Sequence, residues 1–325
     1  MSVAYSHGDS EFADRILDDP GAGWPVEPGR YRLIASLACP WGSRAVLVRR
    51  LLGLEDVISL GIVDPIHDEK DWRFTLDPGG VDPVLGIHHL AEAYAARQSE
   101  WHNGTSVPAI VDVPSGKLVT NDFATITLDF STEWASYHRP GAPDLYPQAW
   151  RDEMDDVMAR VYTNFNDAVY GAGFAKSQAS YEDAYRRIFD CLDWLSERLS
   201  NRRYLVGDHL TEADVRLFTT LVRFDSVYHG HFKCNRNKIT EDPVLDAYLL
   251  DLMQTPGFGD TVNSAHIKLH YHRTHRNLNR YGVVPAGPRQ DWTRRHHREQ
   301  LGGSPFGDAT APTRPSEIPD YRSEP

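Results

Sequence analysis

Tyr31-Arg32-Leu33-Ile34-Ala35-Ser36-Leu37-Ala38-Cys39-Pro40-Trp41-Gly42-Ser43-Arg44-Ala45-Val46 is the stretch that decides the fold. The alternating run Tyr31 to Ala35 reads as a strand. Cys39-Pro40 then opens a helix, because the missing N–H of proline costs nothing at the first helical position. Ala45, Val46, Val48, Leu51 and Leu52 are the apolar positions of that helix, and Gly53 is its C-cap. A cysteine at such a junction has its sulfur beside unsatisfied backbone N–H groups, at the positive end of the helix dipole. Thiols at comparable sites have pKa values of about 3.5–7.5, against roughly 8.5 unperturbed. Gly42 stands where a Cys-x-x-Cys pair has its second cysteine. Cys39 is therefore expected to form a mixed disulfide that an external thiol resolves. The competing reading is a small residue buried at a strand–helix junction.

Outward from there, Val57 to Val63 reads as a buried strand. Residues 64–106 are rich in Asp, Gly and His, with a helical stretch from Leu90 to Arg97. Val107 to Val113 is the next strand, Pro114 to Lys117 a turn, and Leu118 to Thr120 its hairpin partner. A helix follows from about Asp122 to Trp134. The order β-α-β, then β-β-α, predicts a thioredoxin-like sheet with helices on both faces. Pro108 has no N–H for a ladder, so it belongs at a strand start. Trans is the commoner state there; a cis bond would expose the Val107 main chain to an extended ligand.

From Trp150 the spacing is helical over 150–170, 178–200, 211–229, 243–253 and 256–272. Thr211-Glu212-Ala213-Asp214 is a capping box. The expected organisation is an extension over 1–29, a thioredoxin-like domain over 30–137, a linker over 138–148, an all-α domain over 149–288 and a polar tail over 289–325.

The chain has 325 residues with 34 Lys+Arg against 46 Asp+Glu, a formal charge of -12, which argues against nucleic acid as a partner. No apolar run approaches the roughly 18–20 residues that span a bilayer, and Met1 to Asp19 lacks the apolar core of a secretory signal. Three cysteines, Cys39, Cys191 and Cys234, make no disulfide framework and suit a cytoplasmic protein. Cys191 and Cys234 read as buried structural residues. His266 and His270 share a helical spacing, and His229 and His231 flank Gly230. Neither group has a zinc-site motif, so no metal is expected.

Ser36-Leu37-Ala38-Cys39-Pro40-Trp41 resembles the active-site loop of the glutathionyl-hydroquinone reductases, the Xi-class glutathione transferases. Leu210 to Phe218, Leu221 to Asp225, His231 to Asn235, Thr261-Val262-Asn263, His266-Ile267-Lys268 and His270-Tyr271 also resemble that family's pattern, and the similarity covers about residues 24–288. The resemblance implies a thioredoxin-like domain followed by an all-helical glutathione-transferase-type domain, in a homodimer. It implies Cys39 as the catalytic cysteine and Trp72 as the tryptophan against bound thiol. Val107 is the residue whose backbone pairs with the thiol, and Pro108 its cis-proline. Tyr170, Tyr228 and Tyr271 are the implied lining of a quinol pocket, although each singly would more often be structural. The implied co-substrates are glutathione or another low-molecular-weight thiol and an aromatic quinol conjugate. The implied reaction is reductive removal of the thiol from a thioether-linked hydroquinone.

One segment departs from the family. Where members have Asn-Glu-Ser-Ser-Glu to hold the γ-glutamyl group, this chain has Asn121-Asp122-Phe123-Ala124-Thr125. Losing a hydrogen bond to a charged group costs about 1.5–3 kcal/mol, roughly tenfold to over a hundredfold in affinity. Phe123 thus predicts weak glutathione binding and a different natural thiol, such as the sugar-linked mycothiol. The alternative is a small loop shift in which Asp122 and a neighbour still hold glutathione. Three other functions stay open: a general omega-like thiol–disulfide transferase; a conjugating transferase, although Cys39 stands where that chemistry needs a Ser or Tyr; and a non-catalytic binding protein with the same fold.

Overall fold

A computed structural model describes residues 10–67 and 71–318. The first part of the expected N-terminal extension, 1–9, and the end of the tail, 319–325, lie outside the described residues. The chain divides into two compact units, one built from 10–142, 261–284 and 312–318 and the other from 143–260 and 285–311 among the described residues.

The first unit holds a four-stranded sheet of β1 (Tyr31–Ala35), β2 (Ile58–Ile62), β3 (Ala109–Asp112) and β4 (Lys117–Thr120) in the order β2-β1-β3-β4. β1 and β2 are parallel, and the other two pairings are antiparallel. The parallel pair needs a crossover. Helix α1 (Pro40–Leu52) supplies it, while α2 (Ala91–Arg97) precedes β3 and α3 (Ile126–Thr132) follows β4. This is the thioredoxin-like arrangement expected from the element order. α1 ends where Gly53 takes φ 73° and donates its N–H to the Arg50 carbonyl. A Cβ there would fall 2.6 Å from the Arg139 Cβ, so both conformation and space select glycine. The helix expected from Asp122 begins later, at Ile126, because the Asp122 carboxylate accepts from the Ala124 N–H at 3.1 Å and holds 122–125 in a turn.

α1 is buried along its length, including Arg49 and Arg50. Arg49 Nε donates to the Ile58 carbonyl at 2.5 Å, Nη2 to the Glu55 carbonyl at 3.2 Å, and Nη1 pairs with Glu317 Oε2 at 2.6 Å. Arg50 binds Glu55 Oε1 and the Arg314 carbonyl. The tail segment 312–318 is thereby strapped to the C-terminal end of the helix that Cys39 caps. Replacing Arg49 leaves two buried carbonyls and a carboxylate without their donor. Arg49→Ala is expected to cost about 3 kcal/mol and lower the melting temperature by roughly 5–10 °C. A thermal denaturation midpoint within about a degree of wild type would contradict this role for the strap.

The second unit carries α4 (Arg151–Val161), α5 (Ala168–Gly173), α6 (Gln178–Leu199), α7 (Glu212–Arg223) and α8 (Pro243–Gln254). α6 buries Ala184, Ile188, Cys191, Leu192, Leu195 and Leu199, the spacing of one helical face. The capping box at α7 is present: Asp214 accepts from the Thr211 N–H at 3.0 Å, the Leu205 N–H at 2.9 Å and the Tyr248 hydroxyl at 2.7 Å. Two helices expected to run on do not stay α-helical. Tyr162–Asn166 and Phe224–Tyr228 are π-helical turns. The helix expected over 256–272 is α9 (Ser264–Thr274), and it groups with the sheet unit. Pro256 starts a turn after α8, and the helix waits for Asn263, whose side chain caps it by accepting from the His266 N–H at 2.9 Å. Among the described residues no helix is long and apolar enough to cross a membrane.

Candidate active site

Cys39 is the N-cap of α1. Its backbone is extended (φ −74°, ψ 126°), and Pro40 begins the helix. The loop before it is fixed by the Cys39 N–H donating to the Ser36 carbonyl at 3.1 Å. Cys39 Sγ lies 3.5 Å from the Gly42 nitrogen, whose N–H it accepts, and 3.4 Å from the Val107 carbonyl oxygen. The Gly42 N–H, a helix-terminal donor, favours negative charge on the sulfur, while the protonated thiol donates to the Val107 carbonyl. A Cβ on Gly42 would fall 3.0 Å from the Ser36 carbonyl oxygen. The close approach of helix to loop therefore leaves little room for a second cysteine at that position.

The Val107–Pro108 peptide is cis. Val107 belongs to a packed cluster with Trp72, Phe74, Leu90 and Tyr94, and Cys39 packs against it. Trp72, Val107 and Cys39 are therefore brought together from three separate segments. Phe123 is half-buried, with its ring 5.4 Å from that of Trp41 on α1. The Asp122 carboxylate is engaged locally, accepting from the Thr125 hydroxyl at 2.8 Å, the Ala124 N–H at 3.1 Å and the Ser10 hydroxyl at 3.4 Å.

The three tyrosines do not all share a unit. Tyr170 and Tyr228 meet in the helical unit with hydroxyl oxygens 3.4 Å apart and ring centroids 5.9 Å apart. Tyr228 closes one π-helical turn, and Tyr170 lies just beyond the other. Phe174 and Phe232 complete their aromatic surroundings. Tyr271 lies on α9 in the sheet unit, with its ring edge-on to His270 and His275.

The other cysteines have a different chemistry. Burial pushes the Cys191 thiol up to about 12 and the Cys234 thiol further. Among the described residues no group of three His, Cys, Asp or Glu is placed to hold a metal ion.

Sequence reasoning missed the histidines that contact Trp72. His270 stacks on its indole at 5.3 Å with 21° between planes, and His67 meets it edge-on at 5.0 Å. The spacing of His266 and His270 was the available signal, and it points equally to a metal pair or a polar face.

A thioredoxin-like sheet whose N-capping cysteine faces a cis-proline, in a chain that also carries an all-helical unit, defines the glutathione transferase class in its cysteine form. The family model for the glutathione S-transferase C-terminal domain matches residues 178–250. The chain is 41% identical over 271 residues to the glutathionyl-hydroquinone reductase PcpF of Sphingobium chlorophenolicum, covering 83% of this chain and 86% of that one. A glutathione transferase from Gordonia bronchialis is 58% identical with a TM-score of 0.92, over 94% of this chain and 95% of that one. The glutathione-bound structure of YqjG from Escherichia coli is 38% identical with a TM-score of 0.84, over 89% and 96%. The chain belongs to the glutathionyl-hydroquinone reductases, the Xi class of the glutathione transferases.

Proposed function

We propose that this chain reduces thioether conjugates of hydroquinones with a low-molecular-weight thiol, using Cys39. The observation that carries the reading is the position of Sγ, 3.5 Å from the Gly42 nitrogen and 3.4 Å from the Val107 carbonyl next to a cis-proline. It is supported by relatives named for this reaction. Cys39 thiolate attacks the conjugate's sulfur. The sulfur–carbon bond breaks, its electron pair stays on the ring carbon, and that carbon takes a proton to give the free hydroquinone. Cys39 is left in a mixed disulfide. A second thiolate attacks the thiol's sulfur, the released disulfide carries the oxidation, and Cys39 returns as thiolate. Tyr271 in the same unit is our candidate to hydrogen-bond the quinol oxygen. Tyr170 and Tyr228 form a pair of phenols suited to an aromatic diol, within the helical unit.

The glutathione-bound relative supports glutathione as co-substrate. Phe123 against Trp41, with the Asp122 carboxylate occupied by its own loop, favours a thiol whose head is not γ-glutamyl, such as mycothiol. The test is turnover of a glutathionyl hydroquinone and of its mycothiol counterpart, monitored as release of free hydroquinone. Turnover of hydroxyethyl disulfide with neither conjugate reduced would replace this reading with general thiol–disulfide transfer.

The same reading includes a homodimer, which the family resemblance implies; an acidic chain can still associate where the buried patch is apolar. Light scattering at micromolar concentration is expected to give about twice the 36.8 kDa of one chain. A purely monomeric mass would remove the dimer.

A further inference from the structure

We infer that His270 is a positioning residue for the thiol site, fixing the plane of Trp72 where that indole walls the Cys39 cluster. The inference rests on the reading of Cys39 as the centre of a thiol-conjugate site. Trp72 stands in a loop, not in a helix or strand. Its carbonyl accepts from the Leu90 N–H at 3.0 Å, and the neighbouring Arg73 carbonyl accepts from the Asp64 N–H at 2.8 Å. Those bonds hold the main chain but leave the indole orientation to packing. Val107 and Phe74 share its cluster, and Trp72 is only 7% exposed.

His270 supplies what the loop lacks. Its ring lies nearly parallel to the indole, 5.3 Å away, while His67 meets the same indole edge-on. The imidazole is itself held. Nδ1 lies 2.7 Å from the Pro65 carbonyl oxygen, and a carbonyl only accepts, so Nδ1 carries the hydrogen and donates it. Tyr271 and His275 press its edges at 5.3 and 5.7 Å. The cap at Asn263 fixes the start of α9, and with it the height at which His270 meets Trp72. His270 thus ties one loop at two points, Pro65 by a hydrogen bond and Trp72 by stacking. Such a residue acts on how well the thiol is bound, not on the sulfur chemistry.

The test compares wild type, His270→Ala, His270→Gln (a donor without a ring) and His270→Phe (a ring without a donor). Two rates at Cys39 are read by intact mass: mixed-disulfide formation with subsaturating glutathione disulfide, and alkylation by iodoacetamide, which needs no thiol wall. An aromatic contact of this kind predicts that the first rate falls about threefold to tenfold in His270→Ala and His270→Gln and recovers at least in part in His270→Phe. Alkylation is expected to stay within about twofold of wild type in all three. KM for a glutathionyl hydroquinone is expected to rise as the first rate falls, while kcat holds. Equal slowing of both rates, or no slowing of either, overturns the inference. Wild type that forms the mixed disulfide but releases no hydroquinone overturns the proposed reaction and leaves the role of His270 to be decided by the two rates.

Discussion

Cys39→Ser is expected to abolish reductive release of hydroquinone, a loss of more than about a thousandfold. The hydroxyl that replaces the thiol keeps the Gly42 contact but cannot form the sulfur–sulfur bond on which both half-reactions depend. The same site predicts a reactivity order among the three cysteines. Cys39 lies at a helix N-terminus and is partly accessible, whereas Cys191 and Cys234 are buried. Burial raises the Cys191 and Cys234 thiols, so both are held protonated at pH 6. Iodoacetamide at pH 6 followed by peptide mass mapping is expected to label Cys39 and leave the other two untouched in the folded protein. Retained turnover in Cys39→Ser, or labelling of Cys39 no faster than Cys191, would remove the mechanism.

The parts of this site that are local in sequence were legible there. Cys39-Pro40 announces an N-cap and a first helical residue, and Gly53 announces the C-cap, because each is fixed by backbone chemistry within a few residues. The cis state of Val107–Pro108 was not legible from the residues themselves. Proline permits cis without requiring it, and the resemblance supplied the expectation. The helix expected over 256–272 failed at its start because Phe258 and Val262 continue an apolar spacing that Pro256 and the Asn263 cap interrupt. The π-helical turns before Tyr170 and ending at Tyr228 change the helix by one residue per turn, which an apolar pattern at three- and four-residue spacing absorbs without trace. His270 and Trp72 lie far apart in the chain and meet only because α9 groups with the sheet unit. No periodicity encodes such a contact.

Glutathione is expected to bind this chain weakly, and Phe123→Ser to tighten it about tenfold to a hundredfold. The expectation follows from what surrounds position 123. A side chain with neither donor nor acceptor cannot pair with the ammonium and carboxylate of a γ-glutamyl head. Phe123 instead turns its ring to Trp41 at 5.4 Å. Asp122 keeps a negative charge, but its two oxygens already accept from Ala124, Thr125 and Ser10. Recruiting it to an ammonium would compete with the bonds that hold its own turn. On the proposed reading, the contacts nearest Cys39, through Trp72 and Val107, address the middle of a thiol and do not depend on its head. A thiol with the same cysteinyl centre and a sugar head keeps those contacts, and its ring faces suit an aromatic pair better than a charged terminus does. Calorimetric titration of wild type and Phe123→Ser with glutathione and with mycothiol decides the matter. Mycothiol is expected to bind wild type more tightly than glutathione, and Phe123→Ser to narrow or reverse that preference. Glutathione affinity in the low micromolar range, unchanged by Phe123→Ser, would mean that the loop holds the γ-glutamyl group by another route and that the departure at 123 sets no specificity.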